Sequence, residues 1–323
     1  MAGRRARPGD AVQVTAAPAR PQAVARRRSG GLSDRAYKWI LLLPAVAVVL
    51  GLSLFPMLVT LVATFTDWHL FKHDEPINFV GLENWIRLPQ DTFFQITTRN
   101  TVVFTLGVVP AQYLVGLVVA LALNNCRAGK KFFRVFFLLP MMISPVAVAF
   151  VIGRTIFHED VGPLNDVLFR LGLSPIRWLT DAKMAMVTLL LIDIWHWTSF
   201  MVLMLIAGLQ SLPQEPYEAA TVDGASDLQL FRYITFPLLA PISVTAILIR
   251  TLDAFKVVDI IRVVTGGGPG QATESVTLAV YDLGVKGGDI AYGSTAAYGL
   301  LIVMMLFSGA IVLLTRRWVT AAS

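Results

Sequence analysis

Long apolar runs alternate with shorter polar segments along this chain, and the length of the runs decides its fold class. Six runs, Trp39 to Phe65, Val102 to Leu123, Phe133 to Phe157, Met184 to Leu209, Leu238 to Val264 and Ser294 to Thr315, can each cross about 30 Å of hydrocarbon at about 1.5 Å per helical residue. A helix satisfies its backbone amides internally, which lipid requires. The pattern predicts an all-α integral membrane protein with six transmembrane helices. Residues 37–66 would form the first helix, 67–96 an extracytoplasmic loop and 97–317 a five-helix core, with tails at 1–36 and 318–323. Within the runs, Gly107, Gly116, Pro110, Pro140 and Pro145 predict close helix contacts and kinks.

Between the fourth and fifth runs lies a polar island, Leu212 to Pro241, that carries helix signals of its own. Pro213 and Pro216 sit where a helix can begin, and Glu218-Ala219-Ala220 gives a first-turn acid followed by good helix formers. Asp223-Gly224 can end that helix with a residue free to take positive φ. Ser226 and Gln229 read as a capping box for a second short helix bearing Leu228, Leu230, Phe231 and Ile234, which Pro237 should stop. The island is therefore predicted as helix, sharp turn, helix.

Composition supports the membrane reading, since 55% of residues are hydrophobic against about 45–50% in soluble domains. One cysteine, Cys126, excludes a disulfide framework and a cysteine-based metal cluster. The net charge of +6 is concentrated in the N-terminal tail and at helix ends, which points to topology and anionic membrane lipids rather than nucleic acid. The tail to about Leu32, with Arg26-Arg27-Arg28, is too poor in core-forming residues to fold and is predicted to be disordered. Arg4-Arg5 lies too far from the first run to act as a twin-arginine signal. Arg127, Lys130, Lys131 and Arg134 after the second run, and Arg316-Arg317 after the sixth, place those segments with both termini in the cytoplasm. The same count puts Leu212 to Pro241 on the cytoplasmic side. Its own acids, Glu215, Glu218, Asp223 and Asp227, would be available to basic groups on a partner.

The order Glu218-Ala219-Ala220, Gly224, Ile234, Pro237 resembles the EAA loop of membrane subunits of binding-protein-dependent ABC importers, with Phe236 where that family usually has Leu. The resemblance implies a type I importer permease fold whose cytoplasmic two-helix loop inserts into a cleft of the ATPase. On that reading Glu218, Ala219, Ala220, Asp223, Gly224, Phe231, Ile234 and Pro237 form the coupling element. Glu218 would make a polar contact, and the apolar face of the second helix would fill the cleft. Phe79 to Trp85, Asn100-Thr101, and Arg250 to Phe255 continuing through Thr265 to Pro269 resemble sugar permeases related to the maltose and glycerol-phosphate systems. The implied partners are a second homologous permease, an ABC ATPase dimer that binds ATP and Mg, an extracytoplasmic sugar-binding protein and the sugar, with transport by alternating access.

The fifth run carries Arg250, Asp253, Lys256, Asp259 and Arg262 at a spacing of three, alternating in sign. On one helix such a series would wind around the surface, so it cannot all face lipid. It could line a translocation path or form neutralising pairs that hold the bundle. In the fourth run Asp193, Trp195, His196, Trp197 and Ser199 supply aromatic faces and hydrogen-bonding groups that suit a sugar, or else serve packing. Asp193, Trp195, Trp197, Arg250, Asp253, Lys256 and Asp259 are the candidate pathway residues. Trp68, Trp85 and Trp178 read as interfacial anchors. Enzymatic chemistry finds little support: His69 and His73 lack a third ligand nearby, and the Gly266 to Gly270 run is not followed by the Lys-Ser or Lys-Thr of a phosphate loop. The chain is expected to bind no cofactor and not to be an enzyme. The rival functions are an ion-coupled secondary carrier and an ABC importer for a solute other than sugar.

Overall fold

The computed structural model describes residues 34–126 and 129–320. The N-terminal tail to residue 33, with Arg4-Arg5 and Arg26 to Arg28, lies outside the described residues, as do Arg127 and residues 321–323. The backbone of Lys130 and Arg317 is described but their side chains are not. The chain divides into two units, residues 1–54 and 55–323. The first contributes α1 (Asp34–Val49), with Pro44 inside it, and the wider π-helical turns Leu50–Leu54.

The second unit is helical wherever its backbone is regular among the described residues. It begins with α2 (Phe55–Ala63) and an outer loop containing α3 (Glu83–Arg87). Two isolated antiparallel bridges, Thr66 with Phe79 and His69 with Asp289, pin that loop. Asn84 donates to the carbonyls of Thr64 and Thr66, and the Trp85 indole donates to the Thr64 hydroxyl at 3.1 Å. The Phe79 to Trp85 stretch thus fastens the loop to the end of α2. Next comes α4 (Thr92–Asn125), capped by Asp91, which accepts from the Phe93 amide.

The third apolar run does not form one helix. It passes through α5 (Lys130–Leu138), a tight turn at Pro140–Met142, α6 (Pro145–Val148) and the π-helical stretch Ala149–Ile156. Two prolines five residues apart each remove an amide donor and crowd the preceding turn, so the expected kinks become a break. Among the described residues, five helices are long and apolar enough to cross a membrane: Lys38–Ala63, Thr92–Asn125, Ala182–Ser211, Asp227–Ala254 and Ile290–Arg316.

The loop that follows holds α7 (Pro163–Arg170). Asn165 closes it by donating to the carbonyls of Glu159 and Ile176 while accepting from the Trp178 indole. Burial pushes the Glu159 carboxyl up, but the amides of Leu179 and Thr180, the Thr180 hydroxyl and nearby Arg177 outweigh it and leave its pKa below the ordinary value. α8 (Ala182–Ser211) is capped by Asp181 and packs along α4. Gly116 of α4 makes this approach possible, since a Cβ there would come within 2.7 Å of the Met201 Cβ.

The polar island supplies α9 (Glu215–Val222) and α10 (Asp227–Leu230). Pro237 does not stop the second helix. A π-helical turn, Phe231–Thr235, leads into α11 (Phe236–Ala254), so the backbone stays helical from Asp227 to Ala254. The wider turn accommodates a proline that cannot donate to the carbonyl four residues back.

The fifth apolar run ends earlier than predicted. α11 stops at Ala254, and α12 (Asp259–Val264) begins after an irregular linker. Val257 and Val258 are β-branched, and the freed Val257 carbonyl is taken by the Ser275 hydroxyl at 2.8 Å. The charged series therefore lies on two helices and a linker, not as a spiral on one. α13 (Val276–Tyr281), capped by Ser275, and α14 (Ile290–Thr320) complete the unit. Asn100 donates to the carbonyls of Gln271 and Glu274, and the Thr101 hydroxyl accepts from the Val276 amide, which gives the Asn100-Thr101 pair a fastening role. The main core joins α4, α8, α11 and α12 through Phe104, Val108, Leu189, Ile192, Ala246 and Ile260.

Candidate functional site

Polar side chains gather at each end of α11. At its start, α9 closes as the sequence predicts. The amides of Asp223, Gly224 and Ala225 return to the carbonyls of Ala219, Thr221 and Ala220 at 2.9–3.1 Å, and Gly224 has φ +80°. The Ser226 capping box is formed, with the Ser226 amide donating to Gln229 Oε1 at 2.8 Å. Tyr217 donates to the Thr235 hydroxyl at 2.9 Å and ties α9 to the root of α11.

Glu218, Ala219, Asp223 and Gly224 are exposed, and Ala220 and Ile234 line a hollow of about 300 Å³ with Gly224 and Tyr233. Phe231 departs from expectation. Its ring packs inward against the bundle, in the cluster that holds Leu209 and Leu239. The outward apolar face consists of Val222, 88% exposed, and Leu228, 74% exposed, with Tyr233. Val222 and Tyr233 were not singled out by sequence reasoning, although their place beside the Gly224 turn and on the second helix was visible.

Near the far end of α11, Arg250 is buried to 2% exposure and joins three helices. Its Nε donates to Gln112 Oε1 of α4 at 2.9 Å, its Nη2 donates to Asp193 Oδ2 of α8, and its Nη1 donates to Asp253 Oδ2 at 3.2 Å. Gln112 also donates to Asp193 Oδ2 at 2.9 Å and to the Asp193 carbonyl at 3.0 Å. The guanidinium lies 5.1 Å from the centre of the Trp197 ring. His196 donates through Nε2 to the Ile143 carbonyl at 3.0 Å, filling a position opened by the break in the third run. In this cluster, Gln112 is the residue that sequence reasoning missed. Its signal was a lone amide inside an apolar run.

A cavity of about 90 Å³ is lined by Pro145, Asp193, Trp197, Arg250, Asp253, Lys256 and Asp259. Asp193 and Trp197 share a helix face at i, i+4, whereas Trp195 points elsewhere and is 45% exposed. Trp195 is thus separated from the other candidate pathway residues. Arg250 and Asp193 are consumed in neutralising contacts, while Asp253, 43% exposed, Lys256 and Asp259 present polar groups to the cavity. Arg262 is apart from this cluster, with its guanidinium 4.2 Å from the centre of the Tyr281 ring.

Residues 112–321 match the family described as binding-protein-dependent transport system inner membrane component. The chain belongs to this family. The permease is 36% identical over 276 residues to the trehalose/maltose transport system permease protein MalF of Thermococcus litoralis, covering 85% of this chain and 92% of that one. It is also 36% identical to the sulfoquinovosyl glycerol transport system permease protein SmoG of Agrobacterium fabrum, covering 85% and 88%. Its fold is similar to that of a chain in the crystal structure of a bacterial alginate ABC transporter in complex with alginate pentasaccharide-bound periplasmic protein. The TM-score is 0.73 at 23% identity, over 87% of this chain and 94% of the other. The fold is that of a type I ABC importer permease, and the permease is an inner-membrane transport subunit rather than an enzyme. Membership goes against an ion-coupled secondary carrier.

Proposed function

We propose that the permease forms half of the translocation pathway of an ATP-driven sugar importer. The observation that carries this reading is the cavity at the end of α11, where an aromatic ring and partly exposed carboxylates stand together inside a membrane bundle. Such a pairing suits the CH faces and hydroxyls of a saccharide. The names of the relatives, one a trehalose/maltose permease and one a sulfoquinovosyl glycerol permease, support the same cargo class. Trp197, Asp253, Lys256 and Asp259 would meet the sugar, with Arg250 and Asp193 behind them.

The α9 to α11 loop would enter a cleft of the ATPase on the cytoplasmic face, with both termini on that side. Glu218 and Asp223 would meet basic groups, and Val222, Leu228, Ile234 and Tyr233 would meet apolar ones. ATP and Mg would be held by the ATPase dimer, and a second homologous permease and a sugar-loaded extracytoplasmic binding protein would complete the assembly. Closing the ATPases would switch the cavity from one side of the membrane to the other. The test is uptake of labelled saccharides by proteoliposomes containing the assembled complex and its binding protein. ATP-dependent uptake of a saccharide, abolished by omitting the binding protein, is expected; uptake of only amino acids or oxyanions across the same solute panel would refute the cargo class.

A further inference from the structure

The two ends of α11 are joined by one helical backbone. From Asp227 in the loop to Arg250 the chain advances 23 residues, about 35 Å at 1.5 Å per residue. Loop and cavity are therefore two ends of the same rod. A rod transmits displacement to its neighbours where it is fastened to them; apolar packing runs along α11, and its charged polar ties to α4 and α8 gather at Arg250.

Each of the three guanidinium nitrogens has an acceptor: Gln112 of α4, Asp193 of α8 and Asp253 one turn along α11 itself. Gln112 closes the triangle by donating to Asp193. A second tie lies nearer the loop, where Tyr113 donates to the Ser243 hydroxyl at 3.1 Å. Arg250 and Asp193 are each 2% exposed, so pulling them apart would leave two buried charges without their partners. A contact with that penalty stays closed while softer contacts move. The side of the cluster facing the cavity carries Trp197, which lies against the guanidinium, and Asp253, whose carboxylate accepts from it.

We propose that Arg250 is a positioning residue for transport: with Gln112 and Asp193 it clamps α4, α8 and α11 into one moving body, so that displacement of the loop reaches Trp197 and Asp253 undivided. This rests on the reading of the loop as the ATPase contact. The clamp lies about 35 Å along the rod from the loop, so its failure shows as slippage between helices rather than loss of docking.

The test uses the assembled complex in proteoliposomes, in a Cys126→Ser background, with spin labels at Leu203→Cys on α8 and Ile249→Cys on α11, both exposed positions. Pulsed electron-spin distances are read without nucleotide and with ATP and vanadate. The expected result is a single narrow distance that does not change between states. Gln112→Leu, which keeps the packing and removes the bridging amide, should broaden the distribution and raise the ATP hydrolysed per sugar transported about tenfold, while ATPase association is retained. Arg250→Lys should lie between the two, since an ammonium can keep the charge pair but not the fork.

A distance that shifts with nucleotide in the unaltered chain overturns the clamp. So does Gln112→Leu with a narrow distribution and an unchanged ATP-to-sugar ratio. Loss of ATPase association in loop variants bears on the loop reading alone, because the α8 to α11 distance is measured independently of it.

Discussion

Replacing Gly224 by valine strains the turn between α9 and α10 without an internal clash at Cβ. The residue sits at φ +80°, and a Cβ added there meets nothing within 4 Å, so the penalty within the chain is set by backbone conformation. A left-handed conformation costs a residue bearing a Cβ about 1–2 kcal/mol, and a β-branched one more. The turn would relax toward negative φ, opening the three amide-to-carbonyl contacts at Asp223, Gly224 and Ala225 and swinging α9 away from α10. About 1–2 kcal/mol lowers the ratio of formed to relaxed loop roughly 5–30-fold, and so the share of formed loop about 3–15-fold if the two turns are otherwise balanced. Sugar-stimulated ATP hydrolysis in reconstituted complexes should fall by a comparable factor, with membrane insertion unchanged. Gly224→Asn, which tolerates this region, should retain most activity. Gly172, at φ +75° with equally open surroundings, provides the control: Gly172→Val carries the same strain outside the loop and should leave coupling alone. Equal coupling in Gly224→Val and the unaltered complex would refute the loop as the coupling element. Equal losses in the Gly172 and Gly224 variants would assign the effect to general strain.

Other outcomes follow from the cluster and the outer loop. Arg250→Ala leaves Asp193 buried without its cation and should cost about 3–5 kcal/mol, read as loss of assembled complex on heating in detergent. Combining Arg250→Met with Asp193→Leu should restore most of the assembly. Trp197→Ala should raise the sugar concentration for half-maximal uptake about two- to tenfold, the equivalent of about 0.5–1.5 kcal/mol of ring contact, with ATPase association retained in a pull-down. Burial, together with the nearby Asp282, raises the Glu274 carboxyl above its ordinary pKa, with Lys286 opposing. A raised carboxyl favours folding while protonated and costs stability once ionised, so the penalty is absent below the ordinary value and complete above the raised one. Glu274→Gln should therefore raise the melting temperature at neutral pH and lose that advantage on acidification below the ordinary carboxylate range.

What could be read from the sequence depended on whether a signal was local. Gly224, the Ser226 box and the acidic first turn of α9 act within a few residues, and each was visible in the order of residues. The all-helical membrane fold followed from run length. Where apolar runs met prolines or β-branched pairs the outcome turned on distant partners. The carbonyl of Val257 is held by Ser275 and that of Ile143 by His196, and neither contact has a trace in spacing along the chain. Hydropathy read the third and fifth runs as unbroken for this reason. Pro237 erred in the opposite direction, because a π-helical turn can carry a helix past a proline that local rules treat as a stop. At the far end of α11 the charges were legible as a series, but their division into buried fasteners and cavity-facing groups required Gln112, an uncharged residue 138 positions away from Arg250.

The break in the third run has a consequence for the life of the chain before it ever transports anything. Between Pro140 and Pro145 the backbone leaves the helix, and Met142, Ile143 and Ser144 are exposed on the isolated subunit. Hydrocarbon tolerates such backbone only where protein covers it or water reaches it. Much of that backbone is answered from within, the Met142 and Ile143 amides by the Leu139 and Pro140 carbonyls and the Ile143 carbonyl by His196, so an unassembled copy can hold the break open in its own bilayer at less cost than bare backbone of that length.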